Sequence, residues 1–128
     1  MKSFIIQKGT DTPYVSLDPV NNVFEFKGDS YSQDPMEFYT PVIDWLKEFL
    51  PQNAQPITVN FHFTYFNTPT YPSMMEILQL LEKHHLEKKV NVTINWYVST
   101  HDPDMISDGN FLNSSFDNLN IQIHSVAG

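Results

Sequence analysis

The 128 residues contain no cysteine. That excludes disulfide frameworks, thiolate metal sites and cysteine nucleophiles, and it suits a cytoplasmic chain. Glycine is scarce, with four residues. Little material is left for a P-loop or a dinucleotide fingerprint, and neither is present, nor is a Gly-x-Ser-x-Gly nucleophile elbow. Positive charge is short as well. Seven basic side chains face fifteen acidic ones, a formal net charge of −8. Nucleic acid and anionic membranes reward a basic face, so neither is an expected partner. Met1 to Ile6 is too short in apolar length to read as a signal peptide. No apolar run approaches the roughly 18 residues that cross a bilayer.

Enough is present to build a core. Hydrophobic residues make up 41% and aromatics 14%. A chain of this length buries roughly two-thirds of its unfolded surface without a staple. Residues 1–128 read as one domain, with no internal repeat and no linker.

Hydrophobic periodicity gives the elements. Phe4 to Gln7, Thr12 to Leu17 and Val23 to Lys27 are short strands, with Asn21-Asn22 turning between the last two. Gly28 to Gln33 is a polar loop. Asp34, Pro35 and Glu37 form a helix start with a capping box. Phe38, Val42, Trp45, Leu46 and Phe49 recur at helical spacing and face the core. Pro41 kinks that helix, or Thr40 caps a fresh start there, and Pro51 ends it. Ile57 to Tyr65 alternates strictly, with Ile57, Val59, Phe61, Phe63 and Tyr65 on one face. A second helix starts at Pro72 or after Ser73, carries Met74, Ile77, Leu78, Leu81 and His85 inward, and closes at Lys88-Lys89. Val90 to Val98 alternates again. Asp102 caps a short third helix, with Pro103 at its first position and Gly109 as its stop. Leu119, Ile121 and Ile123 mark a last strand.

The order is β-β-β-α-β-α-β-α-β, an α/β fold with a mixed sheet. The last three strands are separated by helices and are expected to be parallel. Each has one apolar and one polar face, unlike a sheet covered on both sides. The helices therefore pack on one face and leave the other open to solvent or to a partner.

Few residues offer chemistry. Of five histidines, only His62 and His124 share the polar sheet face. His84 and His85 are adjacent and point apart, so no metal site is expected. Asp29, Asp34 and Glu37, and Asp102, Asp104 and Asp108, are better explained as helix caps and dipole partners than as acid–base pairs. The turn after the central strand, Phe66-Asn67-Thr68-Pro69-Thr70, stands out. It lies where open α/β folds bind ligands, at the carboxyl end of a parallel strand. A hydroxyl ahead of a helix sits near its positive pole, and a phosphate added there brings about −1.5 to −2 charges. Thr68, Thr70 and Ser73 also have a purely structural use, shaping the turn and capping the helix.

Several segments together resemble a known family. They are Gly28-Asp29-Ser30-Tyr31, Phe38-Tyr39, Pro41-Val42-Ile43-Asp44-Trp45-Leu46, Phe49-Leu50, Tyr65-Phe66-Asn67-Thr68, Met74-Met75 and Leu80-Leu81-Glu82. The chain is similar in these to the SiaC family of bacterial regulatory phosphoproteins. The resemblance implies a fold like that of STAS-type anti-sigma-factor antagonists. It implies a regulatory protein rather than an enzyme, without a cofactor. A protein kinase would phosphorylate Thr68, and a PP2C-type phosphatase would remove the phosphate. The unphosphorylated form would bind and activate an effector, a diguanylate cyclase, raising cyclic di-GMP and promoting biofilm. The partner-binding residues implied are Asn67, Thr68, Pro69 and Thr70, with Tyr31 and Tyr65 from the two most specific motifs. The family usually carries two serines after the threonine, where Pro69 and Thr70 stand here, and Pro72 is a second change. Pro69 removes a backbone N–H and favours extended backbone at Thr68, and Thr70 is an alternative acceptor. Two other readings compete. One is a small-molecule or anion-binding module using the same turn. The other is a hydrolase or metal enzyme using His62, His124 or the Asp102-Asp104-Asp108 group.

Overall fold

A computed structural model describes residues 1–126. Its elements run β1 (Phe4–Ile6), β2 (Tyr14–Asp18), β3 (Val23–Ser30), α1 (Pro35–Phe49), β4 (Ile57–Phe66), α2 (Tyr71–Lys88), β5 (Val92–Ser99), α3 (Pro103–Ser114) and β6 (Ile121–Val126). Short 3-10 turns at Leu50–Gln52 and Thr68–Thr70 follow α1 and precede α2. The order is the one expected from periodicity. The six strands form one mixed sheet in sequential order. β1, β2 and β3 are antiparallel neighbours, and β3 to β6 are parallel. The parallel set thus has one strand more than the sequence reading assigned, because α1 is itself a crossover that returns the chain beside β3.

Alternation along the strands sorts the two faces. Val15, Leu17, Phe24, Phe26, Val59, Phe61, Ile94 and Trp96 are buried in one cluster with Val42 and Leu46 of α1 and Met74, Ile77, Leu78 and Leu81 of α2. The opposite face carries Glu25, Asn60, His62, Asn95 and Tyr97, all only partly covered. The helices thus pack on one side, as the half-polar strands require.

Four elements differ in detail from expectation. α1 runs unbroken through Pro41, which lies exposed on its outer side. Its buried stripe includes Tyr39 and Ile43, while Phe38 is only partly covered. α2 begins at Tyr71, before Pro72 and Ser73. Ser73 is wholly buried and does not cap it, and His84 rather than His85 lies inward. α3 continues past Gly109 to Ser114. Gly109 is a contact rather than a stop, since a Cβ there would stand 2.6 Å from Trp96 Cδ1.

The fourth difference shapes the site. Gly28 pairs with Phe63, but Asp29 pairs with Tyr65, so Thr64 is an extra residue in β4. Such a bulge reverses the side-chain phase beyond it. Tyr65, expected on the core face, is therefore 53% exposed, and Phe66 takes its place in the core. Gly28 supplies the left-handed backbone opposite, with φ 105°.

Candidate functional site

The turn after β4 is fastened to the end of β3. The Asn67 N–H donates to Ser30 O at 3.0 Å, and the Thr70 N–H donates to Asn67 O at 3.0 Å. The second bond closes the 3-10 turn, so Asn67 is the extended residue and Thr68 opens the turn despite the proline after it. Side chains complete a buried polar knot. Tyr39 OH lies 2.8 Å from Ser30 Oγ, Ser30 Oγ lies 3.0 Å from Thr70 Oγ1, and Thr70 Oγ1 donates to Asn67 Oδ1 at 2.7 Å. One proton per hydroxyl orders the chain as Tyr39 to Ser30 to Thr70 to Asn67. Burial pushes the Tyr39 phenol well above its ordinary value, against the opposing Ser30 hydrogen bond, which keeps it a donor at the head of that chain. Thr70 is completely buried. The second acceptor candidate therefore has its hydroxyl enclosed and in use.

Thr68 and Pro69 are exposed at the crest of the turn. Thr68 stands on the rim of a cleft of about 450 Å³, with Tyr71, Pro72, Met75 and Phe111 forming the remaining walls. Phe111 is 55% exposed, a large apolar surface to leave in water. Its ring meets the Tyr71 ring edge-on at 5.7 Å. The Tyr71 hydroxyl donates to the Asp108 carboxylate. Partial burial, and then Asp108, raise the Tyr71 phenol far above its usual value. Phe111 was missed by the sequence reading because it lies beyond Gly109. The spacing Met105, Gly109, Leu112 would have extended the helix across it.

Tyr31 and Tyr65 are brought together. Their rings lie 6.3 Å apart, both exposed, beside the same strand ends. Tyr31 OH donates to Thr10 O at 2.9 Å. The two most specific motifs thus meet in space, through Ser30 and Asn67 inside and through Tyr31 and Tyr65 outside.

The alternative chemistries are dispersed. Asp34 Oδ1 accepts from the Glu37 N–H at 3.4 Å, and Asp102 Oδ1 accepts from the Met105 N–H at 3.2 Å, as helix caps. Asp108 is taken by Tyr71 and Asp29 by Thr64. On the open face His62, Tyr97 and His124 stack as one row, at 4.4 and 4.8 Å between centroids, so the tyrosine ring separates the histidines. Among the described residues no group of three His, Asp or Glu side chains could hold a metal ion. None of the described helices is long and apolar enough to cross a membrane.

The comparisons agree with one another. Residues 6–126 match the SiaC family regulatory phosphoprotein family. An uncharacterized protein of Pseudomonas aeruginosa (strain UCBPP-PA14) is 33% identical over 86 residues, 67% of this chain and 68% of its own. The crystal structure of apo-SiaC from Pseudomonas aeruginosa superposes with a TM-score of 0.89 at 25% identity, covering 97% of this chain and 99% of that one. A crystal structure of the diguanylate cyclase SiaD in complex with its activator SiaC, from the same organism, gives a TM-score of 0.88 at 24% identity, covering 96% and 99%. With a family match from Ile6 to Val126 and a fold shared over 97% of its length, the chain belongs to the SiaC family of regulatory phosphoproteins.

Proposed function

We propose that the chain is the switched component of a partner-switching system, with Thr68 as its phosphoacceptor. A protein kinase transfers the γ-phosphoryl group of ATP to Thr68 Oγ. The hydroxyl proton passes to the kinase base, and ADP leaves. A PP2C-type phosphatase hydrolyses the ester. The unphosphorylated form docks on a diguanylate cyclase and activates it, as SiaC is the activator of SiaD in the related complex.

One contrast supports this reading. Thr68 is exposed on the rim of an apolar cleft, while Thr70, two residues on, is completely buried and hydrogen-bonded. A phosphate on Thr68 would set about −1.5 to −2 charges at the mouth of that cleft, on a chain that already carries a net charge of −8. Apolar docking against it would then fail. The turn is poorly equipped to hold a phosphate in place, since Pro69 and Pro72 both lack an N–H. The switch therefore works by disrupting an interface rather than by cradling the added group. The same shortage of donors disfavours the anion-binding reading of this turn.

Incubation with the cognate kinase and ATP, followed by mass spectrometry, should place phosphate on Thr68 and leave Thr70 unmodified. In a pull-down, Thr68→Ala should retain the cyclase and Thr68→Glu should lose it. An active kinase that leaves Thr68 bare, or equal capture by both variants, would overturn the proposal.

A further inference from the structure

The far ends of α1 and α2 carry a second cleft, remote from Thr68. All seven cationic side chains of this chain are lysines. Three of them, Lys47, Lys83 and Lys88, line a single cleft of about 490 Å³ between the end of α1 and the last turns of α2. That volume is within the range of small-molecule sites. Leu50, Pro51 and Leu80 give the cleft an apolar wall. An acidic protein has therefore gathered much of its positive charge around one concave, partly apolar surface.

His84 also lines this cleft. It is 5% exposed, and its Nε2 is buried with no hydrogen-bond partner. Buried polar atoms are nearly always paired, so an orphan nitrogen calls for a reason. Burial, and then the Lys88 charge, hold its imidazole below the ordinary value, against a smaller pull from Glu87. A neutral ring can give an N–H to an oxygen. The existing ion pairs are weak competitors. Lys47 meets Glu76 at 3.7 Å and Lys83 meets Glu87 at 3.9 Å, both between exposed side chains. Lys88 makes no ion pair among the described residues. Lysines near helix C-termini also offset the carbonyl end of the dipole. That explains Lys47 and Lys88, but neither the cleft nor the unpaired nitrogen.

We propose that this cleft binds a phosphate monoester of about mononucleotide size, its phosphate among Lys47, Lys83 and Lys88 and its body against Leu50, Pro51 and Leu80. On binding, the His84 ring turns its Nε2, which is covered in this structure, toward the ligand and hydrogen-bonds it. Glu87 is the one carboxylate in the lining and works against it.

Titration of isotopically labelled full-length protein with adenosine monophosphate, inorganic phosphate and adenosine separates the contributions. Followed by NMR, the nucleotide should move the His84 imidazole signals and the amides from 83 to 88. Inorganic phosphate should move them less at equal concentration, and adenosine not at all. Lys83→Gln with Lys88→Gln should weaken nucleotide binding about tenfold or more, and Glu87→Gln should tighten it. These positions are exposed on the helix surface, so the fold should survive each change. A silent His84, an equal response to adenosine, or unchanged affinity in the double lysine variant would each overturn the proposal. Because the readout lies at the opposite end of α2, its failure leaves the Thr68 switch untouched.

Discussion

The hydroxyls of Ser30 and Thr70 lie 3.0 Å apart, joining two segments 40 residues apart in the chain. This contact ties the Gly28-Asp29-Ser30-Tyr31 segment to the turn that carries Thr68. It also explains why two neighbouring threonines differ so sharply. Thr70 anchors the turn from below, and Thr68 is presented above it.

Removing the anchor should cost stability without removing the acceptor. Thr70→Val keeps the shape but leaves Asn67 Oδ1 without its 2.7 Å donor and takes away the acceptor of the Ser30 hydroxyl, with Tyr39 OH as its remaining side-chain partner in a buried site. Loss of a buried hydrogen-bond partner costs about 1–3 kcal/mol. Urea unfolding should show a lower midpoint of that size with an unchanged slope. Phosphorylation of Thr68 should persist at a reduced rate, since the turn is loosened and the hydroxyl retained.

Phe111 should matter to the partner and hardly to the fold. It is 55% exposed, and its main described contact is the Tyr71 ring edge. Phe111→Ser should change unfolding free energy by no more than about 0.5 kcal/mol. Affinity for the proposed cyclase partner should fall at least about tenfold, the loss expected of an aromatic anchor in an apolar cleft. Calorimetric titration on unphosphorylated protein measures it. Unaltered affinity would move the docking surface away from this cleft.

How much of this was legible in the sequence depends on whether a decision was local. Caps and alternation are local, and Asp34, Asp102, the faces of β4 as far as Phe63 and the faces of β5 read correctly. The phase of Tyr65 is not local. It turns on Thr64 finding no partner opposite, a property of the pairing with β3. The available signal was Gly28, a glycine inside an alternating run, which marks bulges. Gly109 misled for a related reason. A glycine late in a helical pattern reads as a stop, but here its missing side chain admits Trp96 from another element. The Thr68 position came from strand-end geometry and from resemblance. The burial of Thr70 depends on Tyr39 and Ser30, which sequence spacing does not bring near it.

Stability should fall as pH drops through the histidine range. His62 is held below its ordinary value of 6.5 by burial first and by Lys27 second, and Glu25 opposes. His84 shifts the same way through burial and Lys88. A depressed histidine binds fewer protons folded than unfolded, so the unfolded state gains as protons become available. The stabilising share is fully present above 6.5 and is lost as pH falls through 6.5 toward the lower folded values. Asp18, held low chiefly by its Asn21 side-chain bond, adds its own loss only below its ordinary 3.8. The urea midpoint should therefore be lower at mildly acidic than at neutral pH. His62→Gln should shrink that difference while leaving the stacked row anchored by Tyr97 and His124.

Gly109→Ala opposes helix propensity to packing. Alanine favours a helix interior by about 1 kcal/mol over glycine. Here the new Cβ would stand 2.6 Å from Trp96 Cδ1, 2.7 Å from Ile123 Cδ1 and 2.8 Å from Trp96 Nε1. Ile123 can turn its terminal methyl aside. Trp96 is less free, because its indole N–H donates to Met105 O at 2.9 Å and its ring packs against Phe61, Phe63 and Phe66. Overpacking of this kind costs about 1–3 kcal/mol, so after the helix gain the net change should be a loss of up to about 2 kcal/mol. Urea unfolding followed by tryptophan fluorescence reads both the midpoint and the Trp96 environment. A raised midpoint with unchanged emission would show that α3 can lift from the sheet freely, and that Gly109 serves neither the contact nor the stop.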